Sequence, residues 1–585
     1  DPAYRIEGKA FRFLHVSSCF PRKGVDALLI AYGQAFTNAD DVSLVIKTFA
    51  NPHNEVHRWL QEASAGRDDF PDVRIIEGDI TDGQLKALYA QCQALVSPSR
   101  AEGFGLPMAE AMLMDLPVIT TAWGGQLDFC TPDTAWLVDY RFVQARTHFN
   151  LHGSVWAEPD VASLTDALVQ VHSAPPALRA ERAERARALL LERFKWSDVA
   201  RKLEQDVRSF AGDPGLPSVA TGWITSWNTR CGIATYASNL VEGLHAPVSI
   251  LAADDADRTF DDGPEVTRCW TRGFGDDLSR LSAEIERLEL KALVIQFQYA
   301  FFDFPHFERF LARQKAAGRT VVVLMHATID AAETPTKLLR IIAPSLALCD
   351  RVLVHSIEDL NRLKAVGVER NTALYPHGIM DAPVVAPRRG STRLHLASYG
   401  FFLPHKGLLE LIESVSILRR SGIDACLTMV NAEYPDPASA EQIQRAEQLV
   451  SRLGLKSHVR ILTGFQRDAD SMALLQEADI IVFPYQGTGE SASGAVRYGL
   501  AAGRPVAVTP IPIFDDVGNI VHRLPGTRPN DIARGLAALH AGWNAGDAAI
   551  EAVQQRAAQW RSDHRYPRLA ARLDSITRQL VHLAQ

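Results

Sequence analysis

Residues 94–121, ALVSPSRAEGFGLPMAEAMLMDLPVITT, decide the fold. An apolar run ends at Pro98, a glycine-rich loop follows, Met108 to Met114 have helical character, and a β-branched run closes at Thr121. Strand, loop, helix and strand at this spacing describe a parallel, doubly wound sheet, with ligands expected beyond the carboxyl ends of the strands. Glu102 and Glu110 are separated by seven residues, with Gly103, Gly105 and Pro107 among them. One carboxylate on the loop and one on the first helical turns can both accept hydrogen bonds from sugar hydroxyls. The glycines let backbone approach a ligand, and the helix N-terminus favours an anion. Taken alone, the same residues also describe an ordinary glycine-rich turn beside a solvated acid.

The stretch recurs. IVFPYQGTGESASGAVRYGLAAGRPVAVT (481–509) repeats its outline, FPRKGVDALLIAY (20–32) pairs with FFLPHKGLLELIESV (401–415), and RFKWSDVARKLEQ (193–205) with QWRSDHRYPRLAARL (559–573). Repeats of about 200 residues indicate duplicated domains rather than a stacked array. Between the copies lies a different α/β series, GWITSW, VSILAA, ALVIQFQ, TVVVLMH, RVLVHS and TALYPHG. The expected architecture is three Rossmann-like domains, at 1–212, 216–385 and 390–585, with AGDPGLPSVATG (211–222) as a linker.

The 585 residues are 47% hydrophobic and 22% charged, as in ordinary globular domains. A net charge of -8 argues against a nucleic-acid partner, which calls for a basic stripe. No apolar run reaches the length of a membrane span, although peripheral contact with a membrane needs only a surface patch. Seven dispersed cysteines match neither a zinc spacing nor a disulfide framework, which favours a reducing cytoplasm. The acidic run DDADRTFDDG (254–263) has the look of a polar loop rather than a metal site.

The Glu-x7-Glu pattern in EGFGLPMAE, with PRKG upstream, resembles the donor-binding half of glycosyltransferase family four, the retaining GT-B enzymes. The resemblance covers nearly all of residues 1–210. It implies that Lys23, with Arg22 beside it, contacts a donor diphosphate, that Glu102 contacts the transferred sugar, and that Glu110 holds the nucleotide ribose. Gly103, Phe104 and Gly105 fall in the same donor-binding loop. Ser18 stands where the family usually has a second basic residue. In the second copy Lys406 matches Lys23 and Glu490, followed by Ser491, matches Glu102; Phe401 replaces the basic residue and Tyr498 the second glutamate. Arg497, adjacent, is either a phosphate contact or a surface arginine. The middle domain resembles the acceptor-side lobe: Gly232 opens a helix suited to donor phosphates, His326 follows an apolar strand and points toward the donor sugar, and Gly378 is expected at a special backbone angle.

The resemblance thus implies that the last two domains form a complete GT-B site. It also implies that the first is an isolated C-terminal lobe, with the N-terminal lobe of its own module expected from a longer protein. The expected activity is retaining, metal-independent hexosyl transfer, mannose or rhamnose type, with Glu102, His326 and Glu490 as catalytic residues. The donor is a GDP-, UDP- or dTDP-linked sugar, with no separate cofactor. The acceptor is a glycan or lipid-linked glycan in bacterial O-antigen, capsule or exopolysaccharide synthesis, in the cytoplasm or at the inner face of the cell membrane. Two alternatives stay open: a degenerate second module acting as scaffold or glycan-binding lobe, and a nucleotide-sugar epimerase of GT-B shape.

Overall fold

The computed structural model describes the chain apart from residues 1–2, 148–152, 211–217, 245, 256–257, 331–333, 384–391, 488–492 and 585. The chain forms two compact units, Asp1–Pro214 and Gly215–Gln585.

Unit 1 is built on β1 (Phe11–Val16), β2 (Val42–Thr48), β3 (Asp72–Glu77), β4 (Ala94–Ser97), β5 (Val118–Thr121) and β6 (Trp136–Val138). They form one parallel sheet in the order β3-β2-β1-β4-β5-β6. The order reverses between β1 and β4, which places the ligand crevice of such a sheet at their carboxyl ends. VSLVIKT in β2 is buried along its whole length, as expected where helices cover both faces. Helices α1 (Val25–Ala35), α2 (Asp82–Ala90) and α3 (Leu106–Leu113) connect the strands, and α4 (Trp196–Phe210) ends the unit. The alternation read from sequence omitted an antiparallel hairpin, β7 (Tyr140–Gln144) with β8 (Val155–Pro159). Its second strand is tied to the loop after β4, because Ala157 N–H donates to the Arg100 carbonyl at 3.0 Å.

Unit 2 contains two parallel sheets. The first runs β11-β10-β9-β12-β13-β14-β15, from β9 (Thr221–Thr225), β10 (Ser249–Ala253), β11 (Val266–Trp270), β12 (Ala292–Phe297), β13 (Thr320–Met325), β14 (Arg351–Val354) and β15 (Thr372–Leu374). The second runs β18-β17-β16-β19-β20-β21, from β16 (Arg393–Phe401), β17 (Asp424–Ala432), β18 (Val459–Leu462), β19 (Ile480–Phe483), β20 (Val506–Val508) and β21 (His522–Arg523). This second order repeats that of unit 1. The linker expected at 211–222 lies mostly outside the described residues, and its last two residues already belong to β9. Within the acidic run Asp255 pairs with Arg272 at 2.6 Å and Asp262 with Arg268 at 2.7 Å.

Five helices matter below: α5 (Gly232–Glu242), α6 (Leu408–Arg420), α7 (Asp468–Gln476), α8 (Gly494–Ala501) and α9 (Tyr566–Leu583). Although α9 ends the third domain in sequence, it packs on the core of the β9–β15 lobe. Tyr566, Leu569, Ala570 and Leu573 join Trp223, Tyr236, Leu240 and Tyr375 there. Tyr375 Oη donates to the Leu569 carbonyl at 2.7 Å. Ile379 N–H donates to the His564 carbonyl at 2.9 Å, and Tyr566 N–H to the Ile379 carbonyl at 3.2 Å. The two chain crossings between the lobes therefore hold each other. Gly378 is needed here for space: its φ lies outside the left-handed region, correcting the expected special angle, and a Cβ would lie 2.2 Å from a Tyr566 ring carbon.

One buried polar residue shapes unit 1. His15 of β1 donates from Nδ1 to the Val96 carbonyl at 2.8 Å and accepts the Ser17 hydroxyl at Nε2 at 2.7 Å. Burial pushes its imidazole down to about 4 from 6.5, so it is neutral in the fold.

Two outcomes follow. Between pH 6.5 and 4 the unfolded chain binds a proton that folded His15 refuses. Its contribution is whole above pH 6.5 and is lost by about 3 kcal/mol as pH falls toward 4. Urea unfolding of unit 1 across that range should show the decline, and His15→Asn should flatten it. In unit 2, Gly378→Ala should cost about 2–4 kcal/mol by overpacking against Tyr566, measured by the same method.

Candidate active site

In unit 1 the residues singled out by sequence gather where β1 and β4 diverge. Pro21–Lys23 form one tight helical turn, and Gly24 follows at φ 69°. A Cβ at Gly24 would lie 2.1 Å from the Pro98 carbonyl oxygen. Only glycine permits both that angle and that approach. Arg100 N–H donates to the Arg22 carbonyl at 2.7 Å, fastening the basic turn to the loop after β4. Lys23 is thereby brought onto Glu102, with which it makes an ion pair, and Ser99 Oγ donates to the same carboxylate at 2.8 Å. The two charged side chains are only 12% and 8% exposed. Burial lowers the lysine's proton affinity more than Glu102 restores it.

Glycines also clamp the acidic loop. Gly125 N–H donates to the Glu102 carbonyl at 2.9 Å, and a Cβ on Gly125 would reach within 1.9 Å of the Gly103 oxygen. Gly105, at φ 91°, starts α3 with no side-chain cap, leaving its first amides to other partners. Glu110 accepts the Tyr89 hydroxyl at 3.0 Å, linking α3 to α2. Arg22 donates to the Ala101 carbonyl at 3.3 Å. Phe104 departs from expectation: its ring packs inward against Phe129 and Phe194, at 5.1 and 5.8 Å, so only its backbone is left for a donor.

Arg100 was missed by sequence reasoning. Its buried guanidinium holds Asp26 at 2.8 Å and Glu158 at 2.6 Å and lies 5.0 Å over the Trp156 ring. It joins the loop after β4 to α1 and to β8. The signal was available as an arginine directly before the glycine-rich loop, but its partners are distant in sequence.

Unit 2 repeats the turn. Gly407, at φ 67°, would carry a Cβ 1.9 Å from the Pro484 oxygen, and Gln486 N–H donates to the His405 carbonyl at 2.9 Å. The presented lysine meets different neighbours: buried Lys406 has its ammonium 4.0 Å over the Tyr485 ring, and Tyr485 occupies the place of Ser99. Phe401 packs against Tyr434 and Phe465, at 5.1 and 6.2 Å. Glu490 and Ser491 lie outside the described residues. Tyr498 stacks on Tyr399 at 4.4 Å and donates its hydroxyl to Asp468 at 3.0 Å, so that proton is already committed. Burial raises the proton affinity of Asp468. Arg497 is no surface residue: it is buried, donates to the Ser493 carbonyl at 2.7 Å and pairs with Asp516.

The β9–β15 lobe contributes its strand ends. His326 follows β13 and contacts Gln296 Oε1 through Nε2 at 2.6 Å. Its ring lies 5.0 Å from those of His355 and Tyr236, and His377 is 4.7 Å from Tyr236. Burial, and then the neighbouring His355, keep His326 neutral. His377 is held neutral by burial and next by the charge of Arg497 from the opposite lobe. A Cβ on Gly494 would come within 4.0 Å of His377 Nε2. The lobes therefore meet at this histidine cluster and α8. Tyr236 Oη, Gln296 Nε2, His355 Nε2 and Arg497 Nε are buried without a hydrogen-bond partner among the described residues. Such atoms mark places where a ligand or water completes the bonding. Gly232 is exposed as the first residue of α5, and a Cβ there would meet nothing within 4 Å, so the protein itself does not demand glycine. Among the described residues no three His, Cys, Asp or Glu side chains converge as metal ligands, and no helix is long and apolar enough to cross a membrane.

The family described as glycosyl transferases group 1 matches residues 10–148 and 393–541, just under half of the chain. The MMP alpha-(1->4)-mannosyltransferase of Mycolicibacterium hassiacum is 27% identical over 186 residues, which are 32% of this chain and 39% of that protein. Solved structures similar to the chain include a glycosyltransferase from Rickettsia africae, at 12% identity and a TM-score of 0.48 over 62% of this chain and 99% of that one. Sucrose-phosphate synthase from Thermosynechococcus elongatus gives 15% and 0.47 over 63% and 100%. Anabaena HepE in complex with UDP gives 13% and 0.47 over 61% and 98%. The group 1 pattern thus falls on both copies of the repeat, whose parallel, doubly wound sheets share one strand order, the Rossmann-like fold class expected from the sequence.

Proposed function

We propose that the chain transfers a hexose, of mannose or rhamnose type, from a nucleotide-diphosphate sugar to a growing bacterial glycan with retention of configuration. The observation that carries this reading is the buried Lys23–Glu102 pair at the switch point of unit 1. An ammonium and a carboxylate stripped of water at one spot suit a diphosphate and a sugar hydroxyl, and each is poised to exchange its partner for the ligand. Lys23 neutralises the leaving diphosphate, Glu102 orients the sugar, Glu110 accepts a ribose hydroxyl, and the uncapped start of α3 faces negative charge. In unit 2, Lys406 and the start of α5 take the diphosphate, while neutral His326 and Glu490 hold the sugar. The acceptor hydroxyl attacks the anomeric carbon, the bond to the phosphate oxygen breaks, and that phosphate takes the proton. No divalent ion takes part in this scheme. The name of the Mycolicibacterium relative favours mannose.

A second reading assigns the chemistry to unit 1 and a glycan-holding role to unit 2. It is favoured by Tyr498, whose hydroxyl already serves Asp468 where the first copy offers a carboxylate.

Thermal unfolding with GDP-mannose, UDP-glucose and dTDP-rhamnose tests both readings. A donor at about 100 times its Kd should raise a transition by roughly 5–10 °C. Lys23→Ala and Glu102→Gln should erase the shift in unit 1. Lys406→Ala should erase one in unit 2 only if that unit binds donor. In a transfer assay with a glycan acceptor, Lys23→Ala should lower turnover roughly 100- to 1,000-fold if unit 1 is catalytic. No shift with any donor, and no transfer, would reject the proposal. A new nucleotide sugar formed without acceptor would assign an epimerase.

A further inference from the structure

The two copies of the repeat carry different side chains at the carboxyl ends of their first three strands. Sheet register matches Val16, Lys47 and Ile76 of unit 1 with Tyr399, Val430 and Leu462 of unit 2. Counting on from each strand, Ser18, Asn51 and Asp79 correspond to Phe401, Tyr434 and Phe465. In unit 1 these positions are polar, and Asn51 Nδ2 donates to the Ser18 carbonyl at 2.9 Å. In unit 2 they form one cluster of rings. Phe401 meets Tyr434 edge-on and lies 24° from parallel to Phe465. Phe465 is 55% exposed and Tyr434 36%.

An exposed aromatic cluster at the ligand-bearing end of a parallel sheet is a platform for a ligand with an apolar face. The groups around it indicate which kind. Ser493 Oγ caps α8 by accepting the Val496 N–H at 3.3 Å, where unit 1 has the bare Gly105 at the start of α3. Arg497 is paired with Asp516, and the Lys406 ammonium lies over the Tyr485 ring. Groups that would meet phosphates are thus engaged inside this lobe. Glu433 and Gln466 stand next to the two outer rings in the chain and bring polar side chains to the rim. Aromatic faces edged by hydrogen-bonding groups match a pyranose, which presents C–H groups on its faces and hydroxyls around its edge.

We propose that Phe401, Tyr434 and Phe465 form a platform on which unit 2 holds a neutral oligosaccharide, with one pyranose ring stacked on Phe465 and its hydroxyls taken by Glu433 and Gln466. The inference rests on the second reading above, in which unit 2 holds glycan, and adds where the glycan sits and which contact holds it. The acid or amide at the rim accepts or donates to hydroxyls, while the rings exclude water from one sugar face.

Saturation-transfer NMR of the full chain, titrated with α-mannotriose and with α-rhamnotriose, tests the platform. At least one trisaccharide should bind. Phe465→Ala should weaken that binding about tenfold, while Phe465→Trp should keep it within about threefold. Because the Phe465 ring is half exposed, both variants should melt within about 2 °C of the parent. If a trisaccharide binds but neither Phe465→Ala nor Tyr434→Ala weakens it, the platform is overturned while a glycan-holding unit 2 stands. Absence of binding by both trisaccharides would overturn the platform and the glycan-holding reading together. If Phe465→Ala instead weakens the binding of GDP or UDP, the rings serve a nucleobase, and the proposal is equally overturned.

Discussion

A glycine pressed against a proline carbonyl seats the basic turn in both copies of the repeat, and the rest of each site is arranged around that contact. At Gly24 and Gly407 the backbone is left-handed, and any Cβ would penetrate the carbonyl oxygen of Pro98 or Pro484. The approach brings a lysine over the gap between the first and fourth strands of the sheet. That gap is where the strand order reverses and helices diverge, so backbone amides and side chains can converge on one ligand. Without the close approach, Lys23 would be a solvated residue on a surface turn and could not reach Glu102.

Around this shared seat the copies have diverged in chemistry. In unit 1 the lysine meets a carboxylate and a serine hydroxyl; in unit 2 it lies over the Tyr485 ring. Between the two helices beside the site, the acid and the tyrosine have exchanged sides. Glu110 of α3 accepts from Tyr89 of α2, whereas Tyr498 of α8 donates to Asp468 of α7. The link between the helices survives the exchange, but the group carried by the second helix changes from an acceptor-only carboxylate to a phenol. Unit 2 instead has its charge deeper, at Arg497 and Asp516, opposite three neutral imidazoles. Burial first, and then the nearby charge of Arg497, oppose protonation of His377 and His355, so the cleft offers hydrogen-bonding rings rather than a cluster of cations.

Unit 2 is also held together by its ends. The hinge at Ile379 and the segment entering α9 exchange backbone hydrogen bonds, and the side chains of α9 complete the core of the other lobe. A lobe that donates its last helix to its neighbour ties the two together across the cleft while leaving the cleft itself lined by polar strand ends.

Much of this was legible in the amino-acid sequence because it depends on local pattern. The β-branched runs, the glycines before helices and the recurrence of PRKG and PHKG specified three parallel sheets and put Lys23, Glu102 and Lys406 at the ends of strands, since period and turn chemistry act over a few residues. What only the tertiary structure decided involves partners far apart in the chain. The Phe104 ring turns into the core because Phe129 and Phe194 await it; Arg497 is buried because Asp516 receives it; Gly378 makes room for a tyrosine from the far end of the chain. Which face of α9 is apolar could be counted from sequence, but whether a neighbouring lobe covers it depends on packing, which local periodicity does not encode.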